Sequence, residues 1–349
     1  MSTFGRARRV LESAVKARAF PGAVVEVGTA ERVLALLPAG RLSYEPGSAE
    51  VTAETIYDLA SLTKVLATAP VAADLVARQV IRLDDPVRRW IAAWTGADRQ
   101  PVTLRHLLEH ASGLPAHRPY YAHLEGRAAF EEALCAEPLE YEPGTRSVYS
   151  DAGFILLGLA LEHAAGRPLD ALFEAWRAAA IDEALPLRFH PPSDWHTRIA
   201  PTEVDAWRGR LLVGEVHDEN AAALAGVAAH AGLFGTAAAV GACARWWMRA
   251  AADETRPVYR EFVSRGRVPA SSRALAWDTM LPTSSCGTRM SPAAFGHTGF
   301  TGTSLWIDPV QDYYVVFLSN RVHPTRAGDA MTRVRPELHD AVAADLAHV

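Results

Sequence analysis

The sequence predicts a mixed α/β (α+β) fold: an antiparallel sheet built from both ends of the chain, flanked by helices, with a helical region inserted. Three observations predict it. Two strand-like runs lie near the N-terminus, "AVVEV" and "RVLALL". Three more, "AAFGHTGF", "GTSLWIDP" and "DYYVVFLSN", lie near the C-terminus with connections short enough for an antiparallel meander. Between the two groups the apolar residues follow mostly a helical period.

Residues 4 to 19 read as an amphipathic helix. Val10, Leu11, Ala14 and Val15 form its apolar side, and Glu12 and Lys16 are spaced for an i,i+4 pair. Pro21-Gly22 stops it, and Gly28-Thr29-Ala30 turns the first strand into the second. Residues 61 to about 80 read as helical, with Pro70 kinking or dividing the run. "VTLRHLLEHASGL" reads as a helix capped by Thr103 and stopped at Gly113. "DAGFILLGLALEHAAG" and "LDALFEAWRAAAI" are helical as well. Residues 185 to 220, rich in Pro, Trp, His and charge, read as long loops, and residues 328 to 348 close the chain with a helix. The expected organisation is one domain over residues 1–349, with an α/β part over about 1–60 and 225–349 and a helical part over about 61–224.

Composition narrows the function. The chain is 49% hydrophobic and 21% charged, which is globular, and its net charge of −5 leaves no electrostatic footprint for nucleic acid. Cys135, Cys243 and Cys286 are far apart and form neither a disulfide framework nor a zinc ribbon. The first twenty residues lack an apolar signal core, and no uninterrupted apolar run reaches about 18 residues. No membrane span is therefore expected, and the expected location is cytoplasmic, or periplasmic if a leader was removed.

Chemistry enters at "DLASLTKVLAT", residues 58 to 68. Of 35 Lys plus Arg, only Lys16 and Lys64 are lysines. Arginine cannot lose its proton near neutral pH, whereas a desolvated lysine can. Lys64 follows Ser61 by three residues, which puts both on one helical face. A serine alcohol needs a base to become a nucleophile, and burial can lower a lysine pKa enough to supply one. "VYSDAGF" adds Tyr149 and Asp151 before an apolar helix, and "GHTGFTG" adds His297, Thr298 and Gly299 on a strand. Glycine there lets another backbone or a ligand approach closely.

In this order and on these elements, the motifs resemble the serine β-lactamase and penicillin-binding superfamily. The match is nearest to the branch of class C β-lactamases, D,D-peptidases and related esterases. "PGAVVEVG", "YDLASLTK", "VTLRHLLEHASGLP", "YSDAGFILLG", "HDENAAALAGVAAHAGLFGTA" and "GHTGFTGTSLWIDP" carry the resemblance from about residue 20 to 320. It implies a β-lactamase/transpeptidase-like fold and a serine hydrolase. By that resemblance Ser61 forms an acyl-enzyme, Lys64 activates it, and Tyr149 is the partner base or acid, its phenol pKa lowered by nearby cations. The backbone N–H groups of Ser61 and Phe300 would form the oxyanion hole, with Asp151, His297, Thr298 and Gly299 binding substrate. The implied partner is a small-molecule or short-peptide substrate: an ester, amide, D-amino-acid peptide or β-lactam. No metal or organic cofactor is implied, and no oligomeric state is assigned.

Two residues depart from the family pattern. Asp151 stands where Asn is usual, so it donates no hydrogen bond and could instead pair with Lys64, raising that pKa. His297 stands where lactamases usually carry Lys, and histidine titrates near neutrality. Both favour a peptidase or esterase over an efficient β-lactamase. Two rival readings remain: a penicillin-binding sensor acylated once without turnover, and a zinc peptidase through His106, Glu109 and His110, which match H-x-x-E-H.

Overall fold

The computed structural model describes residues 4–348. The chain opens with helix α1 (Gly5–Lys16), then strands β1 (Gly22–Gly28), β2 (Val33–Gly40) and β3 (Tyr57–Asp58). A 3₁₀ turn (Ala60–Leu62) and a π-helical stretch (Lys64–Thr68) lead into α2 (Ala69–Ala77). The inserted region continues with α3 (Leu104–Leu108), α4 (Arg127–Ala136), α5 (Asp151–Ala165) and α6 (Leu169–Ala180). Short elements follow: β4 (Leu187–Phe189), β5 (Val204–Asp205), β6 (Arg210–Leu211), α7 (Glu219–Ala223) and β7 (Leu233–Gly235). Then come α8 (Ala237–Ala252), α9 (Pro257–Val263), β8 (Asp278–Thr279), β9 (Phe295–Thr298), β10 (Ser304–Asp308), β11 (Tyr313–Ser319) and α10 (Met331–Leu346).

The six-stranded sheet has the order β2-β1-β11-β10-β9-β8, every pair antiparallel, so the two ends of the chain meet at β1 and β11. Val24 opposes Leu318 and Val25 opposes Phe317. The alternation of side chains sends one set to each face. Ala23, Val25, Val27, Val315 and Phe317 pack beneath α1 and α10 with Leu11, Val334 and Leu338. Val24, Val316 and Leu318 pack against α8 and run continuously into the core of the inserted region. Each fully buried side chain of this kind contributes about 1.5–3 kcal/mol.

Trp247 on α8 is fully buried, with its ring edge-on to Trp277 and Tyr259. Its Nε1 donates to the Val65 carbonyl at 3.3 Å, so the core grips the π-helical stretch that carries Lys64. Pro70 stands at the second position of α2, just after the π-helical stretch; the run stays helical through it, so what falls at this point is a change of helix type and not the expected division. By mean hydropathy Ala60–Ala77 is apolar enough to cross a membrane, despite Lys64 and Asp74, but 78% of that stretch is buried inside the fold.

The helix expected over 102–114 is shorter. Thr103 caps it, exchanging bonds with His106, but α3 ends at Leu108 and His110 adopts φ +55°. Residues 185 to 220 are not only loop: β4 pairs with β7, and β5 with β6. Glu12 and Lys16 are both exposed and form no ion pair within 4.0 Å.

Candidate active site

The second sheet, β3-β7-β4, delivers the chain to Ser61. Asp58 ends β3 and is buried, its Oδ1 accepting the Ala60 N–H at 2.8 Å and its Oδ2 the His217 N–H at 2.6 Å. Burial pushes its carboxyl up against these bonds. Ala60 sits at φ +47°, a left-handed conformation that costs a residue with a Cβ about 1–3 kcal/mol and persists only where surroundings enforce it. They do so here: Thr301 and Thr303 donate to the Asp58 and Leu59 carbonyls at 2.8 and 3.1 Å. Thr63 donates to the Ala60 carbonyl at 2.6 Å. Sequence reasoning missed Asp58, though a carboxylate inside the apolar run "YDLASL" was a signal, because such a group must find partners.

Ser61 therefore projects into the cleft from a fixed turn. Lys64 Nζ lies 2.9 Å from Ser61 Oγ, 2.6 Å from the Tyr149 hydroxyl, 2.7 Å from Asp151 Oδ1 and 3.2 Å from the His230 carbonyl. The Tyr149 hydroxyl donates to Ser61 Oγ at 2.8 Å. Ser150 caps α5 by accepting the Gly153 N–H, which sets Tyr149 and Asp151 on either side of the cap. The structure thus brings Ser61, Lys64, Tyr149 and Asp151 together.

The electrostatics differ from expectation. Burial of Lys64 lowers its pKa, but the Asp151 carboxylate and Tyr149 together outweigh that and hold it above the ordinary lysine value. Four acceptors surround an ammonium with three protons, so the charged form is well satisfied. Of the two expectations for Lys64, pairing with Asp151 is the one realised. The phenol of Tyr149 is raised, not lowered as expected: burial dominates, Asp151 adds to it, and the neighbouring Lys64 only partly offsets it. His297 does not titrate near neutrality either. Burial, then Lys64 and Arg273, drive its pKa well below the ordinary histidine value, so it is a neutral imidazole. Its Nδ1 is 2.8 Å from the Thr298 carbonyl, and its buried Nε2 has no partner among the described residues.

Gly299 follows β9 where the strand meets the Ser61 turn. A Cβ there would lie 2.7 Å from the Leu59 carbonyl oxygen and 2.1 Å from Thr303 Oγ1. Gly299→Ala should therefore push Phe300 away from Ser61. We expect acylation to fall at least about 10²-fold, as on loss of an oxyanion donor, with secondary structure by circular dichroism unchanged. Near-normal acylation would show that the close approach has no bearing on the chemistry.

The H-x-x-E-H residues do not converge. Because α3 stops at Leu108, His106 and His110 do not share a helical face. His106 Nδ1 accepts the Thr103 N–H, Glu109 Oε1 accepts the Arg267 N–H, and His110 Nδ1 accepts the Ser150 N–H at 2.9 Å. Among the described residues no group of three or more His, Cys, Asp or Glu side chains is arranged to hold a metal ion. His230 is a buried histidine bonded to Asp218 at 2.8 Å, and Trp277 is core. His217 and Asp218 line the cleft: His217 pairs with Glu203 at 2.8 Å, and Asp218 caps α7.

The cleft is a cavity of about 1110 Å³ lined by Ser61, Tyr149, Asp151, His297, Thr298, Gly299 and Phe300. Arg273 also lines it, 5.3 Å over the Tyr149 ring, with its nearest carboxylate, Asp278, at 4.0 Å.

A family model described as Beta-lactamase matches residues 7–339. A protein of Escherichia coli (strain K12) named "Putative D-alanyl-D-alanine carboxypeptidase" is 31% identical over 312 residues, covering 78% of this chain and 71% of that protein. The class C beta lactamase from Rhodobacter sphaeroides superposes with a TM-score of 0.77 at 20% identity, covering 98% and 99% of the two chains. EstCE1, a hydrolase with promiscuous acyltransferase activity, superposes with a TM-score of 0.75 at 22% identity, covering 97% of each. At these identities the two superpositions speak to the fold alone, which is β-lactamase/transpeptidase-like as expected.

Proposed function

The chain belongs to the beta-lactamase family and is a serine hydrolase, and from that premise we propose that it cleaves short D-amino-acid peptides or related esters and amides through an acyl-enzyme on Ser61. The observation that carries this is the contact of Ser61 Oγ with both Lys64 Nζ and the Tyr149 hydroxyl, at 2.9 and 2.8 Å, in the wall of a large cleft. Ser61 Oγ attacks the acyl carbonyl, and its proton passes to Lys64 once that amine is neutral. The Ser61 and Phe300 N–H groups stabilise the oxyanion. Tyr149, held protonated, delivers a proton to the departing amine or alkoxide and regains one through Lys64. Water then repeats the sequence on the ester. Arg273, loosely paired, meets a carboxylate on the leaving side, which favours a peptide with a free C-terminus. Asp151 offers no N–H to an acyl amide carbonyl, which disfavours efficient β-lactam turnover.

Intact mass after mixing with a penicillin, and with p-nitrophenyl acetate, tests the reading. Wild type should gain the acyl mass or release p-nitrophenolate, and Ser61→Ala should do neither. An equal adduct on Ser61→Ala would remove Ser61 from the mechanism. A penicillin adduct that persists for hours, with no hydrolysis of D-alanyl peptides, would favour the non-turnover sensor.

A further inference from the structure

Arg335 projects from α10, on the far side of the sequence from the nucleophile. Its Nη2 donates to the Gly299 carbonyl at 2.8 Å and to the Thr303 carbonyl at 2.9 Å. These carbonyls flank the tight turn that carries Phe300, closed by Gly299 N–H to the Thr303 carbonyl at 2.7 Å. Arg335 has no carboxylate partner among the described residues, and its buried Nε is unpartnered. Burial, with Arg321 nearby, lowers its pKa to about 10, so it is still charged at neutral pH. A half-buried guanidinium at the edge of the cleft, with its Nε fully buried and no carboxylate beside it, is costly to keep. It is spent here on two backbone carbonyls.

One of those carbonyls matters chemically. The Gly299 C=O and the Phe300 N–H belong to the same planar trans peptide unit, so they point in opposite directions. Anchoring the oxygen on Arg335 turns the N–H away from that guanidinium, and Gly299 and Phe300 line, beside Ala60 and Ser61, the cleft that α10 borders on another side. A cationic donor on the carbonyl also polarises the amide and strengthens its N–H as a donor. Arg321 Nε holds the other end of the residue, donating to the Phe300 carbonyl at 2.8 Å.

We propose that Arg335 is a positioning residue for the oxyanion hole, holding and polarising the Gly299–Phe300 peptide so that its N–H meets the oxyanion on the acylated carbon. This rests on the reading that Ser61 is the nucleophile and the Ser61 and Phe300 amides are the donors. Arg335 needs no contact with substrate in this role, so its effect must appear with a substrate that has no carboxylate.

The test uses p-nitrophenyl acetate, which is neutral, and phenylboronic acid, which forms a tetrahedral adduct on an active serine. Arg335→Gln should slow the acylation burst about 10- to 100-fold, less than full loss of a donor, with KM nearly unchanged. The boronate inhibition constant should rise by a similar factor. Arg335→Lys, which keeps a charge and a donor, should recover part of both. Acylation and boronate affinity within about twofold of wild type in a folded Arg335→Gln would overturn the proposal. So would an effect confined to KM for carboxylate-bearing peptides, which would make Arg335 a substrate ligand. Should the glutamine variant fail to fold, Arg335→Lys decides by the same readouts: intermediate values support positioning, and values equal to wild type overturn it. Ser61→Ala runs alongside. Ester hydrolysis or boronate binding that survives in it defeats the nucleophile assignment and leaves the effect of Arg335 to be read separately.

Discussion

Lys64→Met should acylate about 10²–10⁴-fold more slowly than wild type, the range general base catalysis typically supplies. Lys64→Arg should be almost as slow. Arginine keeps the charge, and its fork can still reach Asp151, but it cannot be deprotonated in a protein. The lysine site itself stabilises the cation, through Asp151 at 2.7 Å and the His230 carbonyl at 3.2 Å. The reacting species is then the neutral minority, and acylation should rise with pH towards the raised lysine pKa. Stopped-flow measurement of the p-nitrophenolate burst from pH 6 to 10 checks both statements. Methionine fills the stem's volume, and Asp151, 20% exposed, is left facing the cleft, so the variant should fold. A folded Lys64→Arg with a wild-type burst would end the base assignment. Tyr149 would then be the remaining candidate, and burial argues against it, since a phenol with a raised pKa is a poorer proton acceptor at rest.

Much of this site was legible from spacing, but not for the reason that spacing suggested. Ser61 and Lys64 were expected on one face of a regular helix. The chain instead passes through a 3₁₀ turn and a π-helical stretch, and the two still meet at 2.9 Å. Helices α1 and α6 were readable because their apolar faces match their buried residues, whereas strands β1, β10 and β11 and helix α5, buried at nearly every position, were readable as apolar runs of the right length bounded by turn or cap residues. Helix α8 escaped attention because "AAAVGACARWW" is small and apolar on several sides, and periodicity discriminates poorly there. The length of α3 depended on the left-handed His110, whose conformation is set by tertiary contacts. Asp58 left a signal in its apolar setting, but its hold on the distant His217 N–H, like the hold of Arg335 on the Gly299 carbonyl, exists only once the chain has folded. Arg335 lies 36 residues from the carbonyl it holds. The direction of the Tyr149 shift was misjudged for a related reason. A sequence shows which charges can gather but not how dry the place will be, and here burial is the larger effect.

Dryness also decides what Asp151→Asn should do. The Asp151 carboxylate raises Lys64 and Tyr149 together, so both hold their protons more tightly than the site requires. Asparagine keeps an oxygen for the ammonium but removes the charge. The alkaline rise of the acylation profile should move to lower pH. Each unit of that movement is a tenfold gain in neutral lysine, so at pH 7 the burst should speed up about tenfold or more. The amide would also add an N–H donor towards an acyl carbonyl, so penicillin acylation should gain more than acetate acylation. Stability moves the other way. Lys64 has a folded pKa above its unfolded one, so the pair stabilises the fold fully below the unfolded lysine value of about 10.4 and loses that contribution as pH rises through the folded value. Asp151→Asn should cost about 1–3 kcal/mol at neutral pH, since a hydrogen bond survives where the ion pair does not. The deficit should shrink in strong alkali. Urea melts at pH 7 and pH 11, set beside the pH–burst profile, measure both effects. A variant that loses stability while its profile stays in place would mean that Asp151 holds Lys64 without controlling its proton. A profile that moves acidward together with the stability loss would mean that this chain keeps its lysine charged at the expense of rate, and that the carboxylate at position 151 is what restrains it.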